Sequence, residues 1–156
     1  VGSDAARVAG ALEAALAARL PSLTWTTERY VGRTPVDVAG EGDGEDAALT
    51  LVELEWRRAD PADNTVTLFR HLDAGEIGGD VCVVQLFTRY YDLQSGGVAS
   101  KRKNAEFVGD LAAETFADVG YHALTLDVDP PKRGGELPDD WRNAVGTAAD
   151  RIANRL

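Results

Sequence analysis

At 156 residues, 44% of them hydrophobic, the chain is long enough for one domain with a proper core, and that single domain is expected to span 1–156. No run approaches the ~18–20 apolar residues of a membrane span, and no charged-then-apolar signal sequence opens the chain, so a cytoplasmic, membrane-free protein is expected. The 26 acidic and 16 basic residues leave a net charge of −10, which ordinarily argues against nucleic-acid partners.

Residues 4–20 carry Val8, Leu12, Leu16 and Leu20 at a spacing of four, which predicts an amphipathic helix stopped by Pro21. Residues 23–31 are rich in β-branched and aromatic types and read as a strand. After a turn at Gly32-Arg33, Thr34 to Val38 reads as a second strand. The acid- and glycine-rich run from Gly40 to Asp46 lacks EF-hand spacing and reads as an exposed hairpin loop. A third strand is expected over roughly 47–57. Asp60 as N-cap and Pro61 at the first helical position open a helix with Val66, Phe69 and Leu72 as its apolar residues, ending near Gly75. Val81 to Phe87 is nearly continuously apolar, so it is expected at the centre of the sheet, covered on both faces. Tyr90 to Lys103 reads as a polar loop. Asn104 then caps a helix with Phe107, Val108, Leu111, Ala112 and Thr115 on one face. Tyr121 to Val128 reads as a strand ended by Pro130-Pro131. Asp139 or Asp140 starts a last helix with Trp141, Val145, Ala149, Ile152 and Leu156 on one side. The order α-β-β-β-α-β-α-β-α predicts an α/β fold. It is a mixed sheet flanked by helices on both faces, with hairpins first and right-handed crossovers later.

The chain has no methionine, so Val1 is not expected to be the translated start, and Val1-Gly2-Ser3 reads as a remnant or trimmed boundary. The single Cys82 lies in an apolar run, cannot form an internal disulfide and reads as a small buried residue. Only three lysines occur, and Ala, Asp, Glu and Val are heavily used. That composition is like that of proteins from salt-loving archaea, where molar salt screens self-repulsion within about 3 Å. An acidic protein of a GC-rich bacterium is the other reading. If the acid is a general surface adaptation, local basic residues carry the information about partners.

Glu53 and Glu55 alternate with Val52, Leu54 and Trp56 on the third predicted strand, so the two carboxylates share one face. Adjacent carboxylates on an apolar strand repel each other and lose hydration unless a cation binds them. A hard divalent cation with oxygen ligands is the usual solution. The bland reading is the solvated face of an edge strand.

With Asp37 sixteen positions earlier, in Pro35-Val36-Asp37, the constellation resembles the PD-(D/E)xK nuclease superfamily, which includes type II restriction endonucleases. Pro35-Val36-Asp37 stands where the family's Pro-Asp would, with one residue inserted, and Glu53-Leu54-Glu55 where (D/E)xK would. The resemblance covers residues 4–128, through the α-β-β-β-α-β order of the family core. The family's usual lysine is Glu55 here, a Glu-x-Glu variant that some restriction endonucleases of this fold also carry. The resemblance implies a metal-dependent hydrolysis of DNA phosphodiesters, of a restriction or repair kind, with Mg2+ or Mn2+ as cofactor. Asp37 and Glu53 would hold the metal, Glu55 would orient or deprotonate the attacking water, and Glu13 is a further candidate ligand. A homodimer is compatible with it.

Arg57 and Arg70 are candidate phosphate contacts, and Lys101-Arg102-Lys103 is the only compact basic run, expected to touch nucleic-acid phosphates without reading sequence. Gln85, inside the buried strand, needs a hydrogen-bond partner and is a candidate for the metal pocket. His71 reads as solvated and His122 as a core-facing or edge histidine; neither has metal-site spacing. Two other functions stay open: a catalytically silent nuclease-fold binding module, motivated by Glu55, and a small halophilic regulatory or structural domain.

Overall fold

A computed structural model describes residues 3–45 and 47–156. Val1, Gly2 and Asp46, which the sequence placed in the opening remnant and the acidic loop, lie outside the described residues. The elements run α1 (Asp4–Arg19), β1 (Thr24–Val31), β2 (Thr34–Glu41), β3 (Leu49–Glu55), α2 (Pro61–Asp73), β4 (Val81–Thr88), a 3-10 turn at Arg89–Tyr91, α3 (Ser100–Thr115), β5 (Val119–Leu126) and α4 (Trp141–Ala153). Ser3 caps α1 by accepting the Ala6 N–H, and Asp60 caps α2 by accepting the Asp63 N–H.

The sheet order is β1-β2-β3-β4-β5. β1, β2 and β3 form an antiparallel meander, whereas β4 and β5 add parallel to β3. Parallel neighbours need crossovers, which α2 and α3 supply. α1 and α4 cover one face, packing Val8, Leu12, Leu16, Val145 and Ile152 on Val52, Leu54 and Val84. Leu68, Phe69 and Ala112 of α2 and α3 cover the other, over Leu49, Leu51 and Val83. The carboxyl ends of β3, β4 and β5 therefore share one end of the sheet, the end where open α/β sheets bind ligands.

Several expectations need correction. β4 is interior, but the middle strand is β3. α2 is rotated from the expected stripe: Thr65, Leu68 and Phe69 are buried and Val66 is exposed. α3 begins at Ser100, because the Ala99 carbonyl accepts the N–H groups of both Arg102 and Lys103. Lys and Arg are good helix formers, so the basic run starts the helix and is not a loop. Phe107 and Leu111 point outward, and Arg102, Ala105, Gly109 and Ala112 face the sheet. Large residues set the expected stripe, yet here the bulk comes from the sheet side, as Phe87 and Tyr121. Leu156 is likewise exposed. His71 is not freely solvated: its Nδ1 sits 2.8 Å from Glu76 Oε2.

A Cβ added at Gly109 would overlap the ring of Tyr121. Gly109→Ala is therefore expected to destabilise by about 1–3 kcal/mol, the usual cost of overpacking. The ~1 kcal/mol helix preference for Ala over Gly would offset only part of this. A melting temperature at or above wild type would mean that the Tyr121 ring moves freely.

Candidate metal centre

Glu53 and Glu55 lie on the middle strand, on the face opposite Val52 and Leu54. They are 3% and 0% exposed. The edge-strand reading is therefore overturned: β3 is covered on both faces, and every one of its residues is buried. β2 pairs with β3 only from Glu41↔Leu49 to Val38↔Val52. Beyond Val38, Asp37 takes the place of a backbone partner: its Oδ2 accepts the Leu54 N–H at 2.7 Å. Across from Asp37, β1 is distorted at Glu28, whose φ of 56° is unusual for a residue with a side chain. The geometry brings Asp37 against Glu53, and the charge of Glu28 also reaches Asp37.

Glu55 is held by a directional network. Its Oε1 accepts from Asn64 Nδ2 at 3.0 Å and from Gln85 Nε2 at 2.9 Å. Gln85 Oε1 in turn accepts from the Tyr121 hydroxyl at 2.6 Å. Burial raises the Tyr121 hydroxyl well above the ordinary phenol range, so it remains a donor. That donor fixes which end of the Gln85 amide faces Glu55. Gln85 Nε2 also donates to Thr65 Oγ1 at 2.7 Å, and the Thr65 hydroxyl donates to the Pro61 carbonyl at 2.9 Å. Arg58 approaches Glu55 Oε2 at 3.5 Å. Its backbone is pinned by the buried Tyr91 hydroxyl, which accepts the Arg58 N–H at 2.8 Å and donates to the Arg58 carbonyl at 3.2 Å. Burial raises that hydroxyl to about 12.

Burial pushes all three acids up. For Asp37 the Leu54 N–H and Glu53 oppose the rise, and for Glu55 the Gln85 and Asn64 amides do. Glu53 is raised furthest, by burial first and then by the charges of Asp37 and Glu55. Glu53 Oε1 and Glu55 Oε2 are buried with no hydrogen-bond partner among the described residues. A buried charge without a partner is costly, and a bound cation removes that cost. Among the described residues, no three His, Cys, Asp or Glu groups are already drawn around one point as metal ligands. A pair of carboxylates is nevertheless enough for magnesium, which keeps several waters and takes one or two carboxylates. The all-oxygen donors Asp37 and Glu53, the latter with its orphaned Oε1, fit a hard cation of that kind.

The remaining expected site residues divide. Glu13 is not brought in: α1 covers the opposite face of β3, and none of the leading influences on Asp37, Glu53 or Glu55 comes from it. Arg57 does not extend β3, which ends at Glu55. Its Nη1 donates to the Pro131 carbonyl at 3.3 Å, and Arg58 takes the place beside Glu55. Arg70 is in the last turn of α2, which runs antiparallel to β3 and carries it to the other end of the sheet. Arg102 is buried: its Nε pairs with Glu106, its Nη1 donates to Thr125 Oγ1 and its guanidinium lies over the Phe87 ring, so most of it is engaged within the fold. Lys101 and the exposed Lys103 remain at the carboxylate end. Gln85 does face the site. Asn64 and Thr65 were missed, although both stand four residues before apolar Leu68 and Phe69, a readable sign of polar groups on the inner face. Tyr121 and Glu28 carried no such signal.

Compared with models of known protein families and with curated proteins, the chain matches none.

Proposed function

We propose that the chain is a metal-dependent nuclease of the PD-(D/E)xK type, hydrolysing DNA phosphodiesters with magnesium or manganese. The observation that carries this reading is the pair of buried, partly unpartnered carboxylates on β3 beside Asp37. The restriction endonuclease-like core is part of the same proposal. It is supported by three antiparallel strands followed by a parallel fourth, with the acids where β2 and β3 part. Asp37 and Glu53 would hold the cation. When bound, it would polarise the scissile phosphate and lower the pKa of a bound water.

Glu55 performs the work that lysine does in the family pattern. Gln85 and Asn64 hold Oε1, so only Oε2 is free to take a proton from the attacking water. Arg58 beside Oε2 favours the ionised form and is placed to meet a phosphate oxygen. Thr65 and Tyr121 touch no substrate; they orient Gln85. A second reading, a binding module of the same fold without cleavage, is favoured by the saturated Oε1 of Glu55.

The test is cleavage of supercoiled plasmid in molar KCl, with Mg2+ or Mn2+ against EDTA. Metal-dependent nicking or linearisation is expected. DNA binding without cleavage at any metal concentration would favour the silent module, and neither binding nor cleavage would remove both readings.

A further inference from the structure

We infer that Tyr90, flanked by Arg57 and Lys101, is a seat for an unpaired stretch of nucleic acid next to the carboxylates; this rests on the nucleic-acid reading above. Tyr90 lies in the 3-10 turn that follows β4, Arg57 two residues beyond β3, and Lys101 in the first turn of α3. All three therefore gather at the carboxyl end of the parallel strands, the end that holds Glu55. The Arg57 guanidinium lies 5.3 Å and the Lys101 ammonium 5.2 Å from the centroid of the Tyr90 ring. Both cations are thus drawn to one aromatic ring. Among the described residues neither forms an ion pair with a carboxylate, although the chain has 26 acids for 16 bases. Cations kept apart from abundant acids, and held instead by a ring and a backbone carbonyl, are ready for an outside anion.

Tyr90 is 40% exposed. Its neighbour Tyr91 is buried and tied to Arg58 through its hydroxyl, which anchors the backbone that carries Tyr90. The two rings meet edge-on, with centroids 5.1 Å apart. A duplex offers such a surface only its phosphates, since its base faces are stacked within. An unpaired strand offers both phosphates and a free base face, the combination that cations around an aromatic ring hold. The inferred substrate is therefore DNA with an unpaired segment beside the scissile bond: a single strand, a tail or a flap.

The experiment is fluorescence anisotropy in EDTA, so that binding is read without cleavage. The probes are labelled oligothymidylate and a blunt duplex, each measured over a range of KCl concentrations. Tyr90→Ala should weaken oligothymidylate binding about fivefold or more, the effect of losing one stacked base, and leave duplex binding nearly unchanged. Tyr90→Phe should bind as wild type does. Arg57→Ala and Lys101→Ala should weaken both probes and flatten the salt dependence. The inference is overturned if Tyr90→Ala weakens both probes equally or neither, while wild type binds. If wild type binds neither probe, the nucleic-acid reading fails first and takes this inference with it. Circular dichroism of Tyr90→Ala, whose ring is outside the core, separates a lost contact from a lost fold.

Discussion

Glu53→Ala is expected to abolish metal-dependent cleavage while the protein stays folded, and Asp37→Ala to do the same. Both remove a ligand from the pair that would hold the cation. A metal contributes several kcal/mol of charge stabilisation in the transition state, and each 1.36 kcal/mol is tenfold in rate, so the loss should be about a thousandfold or more. The fold should survive. Glu53 Oε1 makes no hydrogen bond among the described residues, so deleting the carboxylate removes an orphaned buried oxygen and the repulsion of Asp37 and Glu55, against the loss of its contacts with Asn64 and Asp37. Asp37→Ala carries more structural risk, because it orphans the Leu54 N–H that Asp37 now satisfies. Glu53→Ala is therefore the cleaner variant. Cleavage of plasmid at the wild-type rate by a folded Glu53→Ala protein would sink the mechanism. Failure of that variant to fold would assign Glu53 a structural role.

The parts of the fold legible in the sequence were those where local pattern and burial agree. Val8, Leu12 and Leu16 at four-residue spacing lie where α1 meets the sheet, and Asp60-Pro61 opens α2. The nearly continuous apolar run of β4, broken only by Gln85, is interior, as a strand without a polar face must be. α3 misled because its inner face is made of small residues and one buried arginine, so the large apolar side chains pointed the wrong way. The basic run misled for a related reason. Arg102 looks like a surface charge in sequence, yet Glu106, Thr125 and Phe87 surround it, and those lie up to 23 positions away. At the site, the alternation of β3 was enough to put Glu53 and Glu55 on one face, but not to say whether that face was wet. Burial comes from α2 and from Gln85 on β4, both long-range neighbours. The relay from Tyr121 through Gln85 to Glu55 depends on the β3/β4/β5 register, which periodicity does not specify.

Glu53→Gln should act oppositely on stability and on metal response. The native pKa of Glu53 is raised well above its ordinary value by burial and by neighbouring acids. The native state therefore holds its proton at pH values where the unfolded chain has released it. Stability from this group is full below the unfolded value of about 4.3, and is lost as pH rises through the raised native value. Metal-free wild type should accordingly become less stable between mildly acidic and neutral pH. Glu53→Gln lacks that titration, and its amide can donate to Asp37. Its melting temperature in EDTA near neutral pH should exceed that of wild type. About 1–3 kcal/mol is the scale for relieving a buried unpaired group, and each kcal/mol is worth about 2–4 °C at this chain length. Some pH dependence should remain in the variant, because Asp37 and Glu55 are raised in the same direction. Magnesium should reverse the ranking, since the cation binds the ionised carboxylate. Wild type should gain about 2.7 kcal/mol at a hundred times the dissociation constant, and the variant little. The measurement is thermal melting from pH 4.5 to 8.5 at constant molar KCl, with EDTA and then with Mg2+. A Glu53→Gln protein that melts below wild type at every pH in EDTA would mean that the ionised carboxylate is already satisfied within the fold. An equal magnesium response in both proteins would place the cation elsewhere.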